Sequence, residues 1–442
     1  MIRANFGPCW DYGIIPDMKR FFKDTDMNKT RLAVSAALCT LAAVAGAALE
    51  PVSPVGGQSV PLVPPAQKKV MALPTLADRL ALFKEDREKG HKKIRHDKYW
   101  RKALPVVLSW RPTSGEKGPW KVMVGKKADL SDARIWFFSS KKTDKATGRE
   151  TGKAEVKDEV KYELPIANLE VGERYYWKVA CRGYCGFGCN PKHGCEACKK
   201  FVESPVSEFV TEPTAPRWIA IEGSVGNIRD LGGRMTSSGK RVKQGMAYRG
   251  QGLNHNSVTG EIQGRNRLTV EDVKYFTKTL GVKTDLDLRS RGETADLAES
   301  PLGPGVKFVL RSSPAYKGIF DEHGKKTMAE NFRTFCDEAN YPIYFHCIGG
   351  ADRTGSLGYV LNGILGVDRH ELETDWESTF YPNIPDENPD PDFWCRESHF
   401  NNGFSKYGTE GDSWNRRIEL YLLDCGVTAE EIGKFRKIML EE

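Results

Sequence analysis

Tyr341-Pro-Ile-Tyr-Phe-His-Cys-Ile-Gly-Gly-Ala-Asp-Arg-Thr-Gly355 is the stretch whose reading decides the fold. Ile343 to Phe345 is apolar and strand-like. A glycine-rich turn follows, and the chain then enters a helical pattern with Leu357, Val360, Leu361, Ile364 and Leu365 on one side and a stop at Gly366. Cys347 and Arg353 bracket five residues, Ile348, Gly349, Gly350, Ala351 and Asp352. Small residues in such a turn let consecutive backbone N–H groups converge on one centre, forming an anion nest at a helix N-terminus. The same field stabilises a thiolate, so Cys347 is the candidate nucleophile. Arg353 offers a planar fork suited to two oxygens of a phosphoryl group.

His346-Cys347-x5-Arg353-Thr354-Gly355 resembles the signature loop of cysteine-dependent protein-tyrosine phosphatases, and the ending Asp352-Arg353-Thr354-Gly355 resembles the bacterial branch of that family. Asn227-Ile-Arg-Asp-Leu-Gly-Gly233 and Met246-Ala-Tyr-Arg-Gly250 resemble the opening of the same family. The resemblance implies catalysis by Cys347 and Arg353 through a phosphocysteine, with phosphate held by the N–H groups of about Ile348 to Arg353. It implies that His346 holds the loop's shape and that Asp352 is the general acid, with Asp287 as the alternative. Thr354 can donate a hydrogen bond to the sulfur. The strand end Asp287-Leu-Arg-Ser290 is implied to lie beside the loop, where Arg289 paired with Glu293 would brace it. Phosphoinositide-hydrolysing relatives tend to carry lysine where this chain has Ala351, which favours phosphotyrosine substrates here.

Outward from the loop, strands alternate with helices. Leu268–Gly281 reads as a helix with Thr269 as cap, Val282–Leu288 and Val306–Leu310 as strands, and Met328–Asn340 as a helix. This pattern predicts a largely parallel sheet with ligands met beyond strand C-terminal ends. The catalytic domain is expected over 215–442. Two or three domains suit the 442-residue length.

Before it, short strands at Val106–Trp110, Trp120–Val124, Arg134–Phe138, Val160–Leu164, Arg174–Val179 and Ser207–Thr211 predict an all-β sandwich over 104–214. Leu169-x2-Gly172-x2-Tyr175-x-Trp177 resembles the tyrosine-corner region of a fibronectin type III domain. A Cys-rich insertion spans 181–198, where Cys181, Cys185, Cys189, Cys195 and Cys198 could form disulfides or a zinc site, export favouring disulfides. Residues 48–103 read as a Pro-rich leader and a helical linker, with Leu76, Leu80 and Phe83 at helical spacing.

Met27-Asn-Lys-Thr-Arg31 followed by Leu32–Ala47 reads as a signal peptide closing a 1–47 extension. Its apolar run falls short of the roughly 20 residues a membrane span needs, so no stable span is expected and the product is periplasmic or secreted. A net charge of +7 is mild for this length and points away from nucleic acid. The basic run Lys92–Lys102 reads as a solvated face.

The expected function is therefore an exported protein-tyrosine phosphatase, or one of dual specificity, acting on a phosphotyrosine protein or peptide or another phosphate monoester. The chemistry needs no cofactor, and residues 215–442 lack a His/Asp cluster with metal-ligand spacing. The alternatives are an inositol phosphate or phosphoinositide phosphatase, and a secreted phosphate-recognising protein without turnover.

Overall fold

The computed structural model describes residues 49–88, 102–113, 118–138, 161–182, 201–253, 268–294, 296–379 and 397–442. The expected signal peptide, the basic run before Lys102 and every cysteine of the 181–198 cluster except Cys181 lie outside them. The chain divides into two units, one made of residues up to Val60 with Val106–Ile166 and Glu173–Thr211, the other of Pro61–Pro105, Ala167–Gly172 and Glu212–Glu442.

The first unit is all-β. Its strands are β1 (Glu50–Ser53), β2 (Gln58–Val60), β3 (Val106–Arg111), β4 (Trp120–Gly125), β5 (Arg134–Phe138), β6 (Tyr162–Ile166), β7 (Arg174–Arg182), β8 (Phe201–Glu203) and β9 (Ser207–Thr211). One sheet runs β1-β3-β6 and the other β2-β9-β7-β4-β5, with β8 also on β7. Alternation sets the inner faces: Val106, Leu108 and Trp110 are buried while Val107 is exposed. Aromatic rings join the sheets, Trp120 lying 5.7 Å from Trp110 and 4.7 Å from Tyr162. Tyr175 stacks on Phe209. The expected leader contributes β1 and β2 to this unit. Their pattern is illegible because β1 shifts register between Pro51 and Ser53 and both strands are only part-buried.

The second unit begins with α1 (Pro65–Met71) and α2 (Leu76–Glu88). The expected linker helix therefore belongs with the expected catalytic domain, held there by polar groups its apolar spacing does not reveal. Arg79, fully buried, makes a two-pronged ion pair with Glu377, and Trp218 donates to the buried Gln67. The sheet has the order β10 (Arg229–Asp230), β11 (Ala247–Gly250), β14 (Ile343–His346), β12 (Thr284–Asp287), β13 (Lys307–Leu310), parallel except for β10. The central strands are buried on both faces, as a covered parallel sheet requires. Ile343 and Phe345 enter one core with the helix after the loop, while Tyr344 enters the other with Phe276 and Leu280.

Thr269 caps α3 (Val270–Lys274) in a capping box with Asp272, and a π-turn over Tyr275–Thr279 completes the expected helix. The expected helix 328–340 is instead α4 (Glu322–Thr334), capped by Asp321 and followed by a short 3-10 turn. It starts a turn and a half early because its first residues are polar and offer no apolar period. α5 (Asp352–Leu365) stops at left-handed Gly366, φ 94°. α6 (Arg369–Glu377), α7 (Glu397–Phe404), α8 (Trp414–Asp424) and α9 (Ala429–Met439) complete the unit. Gly355 lets α5 and α6 meet, since a Cβ there would stand 2.3 Å from the Trp376 ring.

Candidate active site

β14 ends at His346, so Cys347 is delivered to the C-terminal edge of the parallel sheet at the foot of α5. Each loop carbonyl from Cys347 to Gly350 accepts a hydrogen bond from a group outside the loop's concave side or beside it. His346 Nδ1 meets Cys347 O at 3.2 Å, Gly252 N–H donates to Ile348 O at 3.0 Å, and Asn227 Nδ2 donates to Gly349 O at 3.1 Å. Arg249 Nη2 donates to Gly350 O at 3.1 Å. Carbonyls engaged outward turn the N–H ends of the same peptides inward, which is the geometry of an anion nest. Gly350 is required twice over: its φ is +68°, and a Cβ would stand 2.4 Å from Gly250 O.

Cys347 is 1% exposed. Burial pushes its thiol up, but the Thr354 hydroxyl, the Arg353 guanidinium and the N–H groups of Thr354 and Gly350 outweigh burial and hold the pKa below its ordinary value. The Thr354 hydroxyl is itself buried and has no oxygen or nitrogen partner among the described residues, so the sulfur is its neighbour.

Arg353 is locked by Glu293, Nη1 to Oε2 and Nη2 to Oε1 both at 2.8 Å. That fork, first of all, pulls the Glu293 carboxyl down to about 2, aided by the N–H and hydroxyl of Ser290. The expected Arg289–Glu293 ion pair is replaced. Arg289 forks onto Asp287, at 2.8 Å from Nε to Oδ1, and touches only the main-chain oxygen of Glu293. The reason is spacing: a carboxylate two residues away at a strand end is nearer than one four residues on, and Glu293 is left for the catalytic-loop arginine.

Asp287 is fully buried and clamped by Arg289, with His346 Nδ1 at 3.7 Å. Burial raises its pKa, but His346 and Arg289 bring it below the ordinary value. An ionised, fully paired carboxylate has no proton to give, so the geometry disfavours Asp287 as the acid. His346 is anchored at Nε2 by Asp285 at 2.9 Å, and both aspartates raise its pKa despite burial. Asp352 sits at the first turn of α5, part-exposed like Ala351 and Arg353. It alone of the two candidate acids is open to solvent. Cys336, a thiol near the opposite end of β14, bonds to Glu431 O and Phe332 O, and burial pushes it up to about 12.

Residues 220–387 match the model of the tyrosine phosphatase family. This region belongs to that family. A Cupriavidus necator protein named as a putative tyrosine-protein phosphatase is 26% identical over 199 residues, covering 38% of this chain and 67% of the relative. The core catalytic domain of the S. cerevisiae PP-IP phosphatase SIW14, solved with citrate, is 19% identical and covers 30% of this chain and 84% of its own, with a TM-score of 0.21, a likeness too slight to carry a conclusion. The chain is a phosphatase.

Beneath the tyrosine phosphatase loop lies a group that the sequence analysis does not single out. Asp375 of α6 accepts from Arg229 Nε, Arg234 Nη2 and Arg249 Nη1, each at 2.8 Å. Three guanidiniums hold its carboxyl far below the carboxylate range against the opposing effect of burial. Arg229 and its neighbour Asp230 turn to opposite sides of β10: Asp230 takes Arg217 at 3.0 Å and the N–H groups of Gly232 and Gly245. Two acids flanking Trp376 in the segment Asp375-Trp-Glu377, and arginines at strand ends beside glycines, were the available signals.

Proposed function

We propose that the chain is an exported protein-tyrosine phosphatase acting through a phosphocysteine at Cys347. The observation that carries this reading is that the loop carbonyls from Cys347 to Gly350 are all engaged by neighbouring donors while the N–H groups of Gly350 and Thr354 meet the Cys347 sulfur. The thiolate attacks phosphorus in line: an S–P bond forms, the P–O ester bond breaks, and Asp352 gives its proton to the leaving phenolate. Loop N–H groups and Arg353 hold the equatorial oxygens, with Glu293 keeping the guanidinium in place. Water then attacks phosphorus, the S–P bond breaks, the proton returns to Asp352, and Thr354 stabilises the departing sulfur.

Ala351 adds no charge beside the phosphate, which suits a singly phosphorylated tyrosine better than a polyphosphorylated head group. The β-unit is fibronectin type III-like and serves as a spacer; a three-stranded sheet facing a larger one across tryptophans supports this. Export rests on the Met27–Ala47 pattern.

The test compares wild type with Cys347→Ser on a phosphotyrosine peptide and on an inositol polyphosphate. Turnover of the peptide that Cys347→Ser abolishes is the expected result. Clear preference for the inositol compound would overturn the substrate class, and equal slow hydrolysis by both proteins would overturn the mechanism.

A further inference from the structure

Among the described residues, charge is out of balance under the loop. Arg229, Arg234 and Arg249 are each at most 2% exposed, and Asp375 is the carboxylate they share. Glu371 adds a second carboxylate only to Arg234, at 3.1 Å, and it is 39% exposed. Isolated buried charge is costly, so an arginine cluster in excess of its carboxylates calls for a further anion.

Arg249 is the member that reaches the site. Its Nη1 is held by Asp375 and its Nη2 fixes Gly350 O. Room for its guanidinium comes from Gly358 of α5, where a Cβ would stand 2.8 Å from Nη1. Burial first, and then Arg229, pushes the Arg249 pKa down to about 9, while Asp375 and Cys347 act in the opposite sense. Among the described residues, the charged or titratable groups facing Cys347 include Arg353 of α5 with its Glu293 and Asp352 neighbours, Tyr344 and His346 of β14, the Asp285 and Asp287 carboxylates that flank His346, and Arg289, which packs with the Cys347 carbonyl against Gly252.

We propose that Arg249 is a positioning residue of the phosphatase site, acting from behind the loop. It fixes the peptide of Gly350 and supplies buried positive charge for which the Cys347 thiolate is the counter-ion. This deepens the phosphocysteine reading and rests on it, but its test does not need turnover.

Alkylation of Cys347 by iodoacetamide, followed against pH in the full chain by mass analysis of the Cys347 peptide, reads the thiolate directly. Arg249→Met raises the midpoint by about one pH unit, a tenfold loss of thiolate at any pH below it. Arg249→Lys keeps the charge and restores most of that shift. The acid limb of kcat/KM moves with the midpoint. Arg234→Gln, which removes a charge from the same cluster without touching the loop, moves the midpoint the same way by a smaller amount.

A folded Arg249→Met protein, judged by circular dichroism, with an unmoved midpoint would overturn the proposal. Equal shifts in the Met and Lys variants would reduce Arg249 to loop shape and overturn its charge role. If neither Arg249 variant folds, an unmoved midpoint in Arg234→Gln overturns it. Normal alkylation shifts without any turnover would instead defeat the phosphatase mechanism and leave this inference standing.

Discussion

Replacing Asp375 with asparagine removes one negative charge and almost no volume. The carboxylate is within 2.8 Å of three guanidinium nitrogens and its side chain is 9% exposed. An asparagine can accept from one of them, but its NH2 faces other donors, since arginine accepts nothing. Removing one member of a buried ion pair costs about 3–5 kcal/mol. For a unit of this size that corresponds to a fall in Tm of about 6–20 °C. The assay is thermal unfolding followed by tryptophan fluorescence, since Trp376 adjoins the substitution and is buried. The sign of the pH dependence follows from the direction of the shift. The native pKa lies below the unfolded value of about 3.9, so the contribution is complete above that pH and fades as pH falls through the native pKa. The gap between wild type and Asp375→Asn is therefore constant from about pH 5 to 8, a range about one unit clear of the unfolded carboxyl below and of Arg249 above, and narrows below about pH 4. A loss under about 1 kcal/mol at pH 7, the worth of an ordinary exposed pair, would refute the claim that Asp375 is the carboxylate the three buried arginines share.

Glu293→Gln weakens the fork on Arg353 and lowers kcat/KM for a phosphotyrosine peptide by about tenfold to a hundredfold, with the fold unchanged by circular dichroism. Asp352→Asn slows a phosphotyrosine peptide far more than para-nitrophenyl phosphate, whose leaving group needs no proton; equal slowing of both in steady-state assays would count against the general-acid role. Gly355→Ala drives a methyl into Trp376 and costs about 1–3 kcal/mol in denaturant unfolding. Arg79→Ala removes the two-pronged ion-pair partner of the buried Glu377 carboxylate and lowers stability by about 3–5 kcal/mol in the same assay.

The loop could be read from sequence because its chemistry is local: Cys347, two glycines, Arg353 and Thr354 all lie within one turn. The parallel sheet could be read because buried strands and the Thr269 and Gly366 boundaries leave local marks. What could not be read is carried by pairs far apart in the chain. Arg249 and Asp375 are 126 residues apart, and Arg353 and Glu293 are 60 apart. Charge type constrains such partners without choosing among them, so Arg289 was assigned to Glu293 when Asp287 was nearer. Strands β1 and β2 escaped for a different reason, β1 shifting register between Pro51 and Ser53 and both being only part-buried, so neither shows a clean alternation.

The pairing of Arg79 with Glu377 changes where the enzyme begins. The polypeptide lays down two helices of its catalytic body, makes most of a separate β-unit, and only then returns to finish the first task. A protein trimmed to start at residue 215 would keep every group of the phosphate loop yet lose the Arg79 fork from the sealed Glu377 carboxylate and the Gln67 acceptor from the Trp218 indole. Trimming for study or for engineering belongs at Pro61, and the β-unit is the part to excise from the middle.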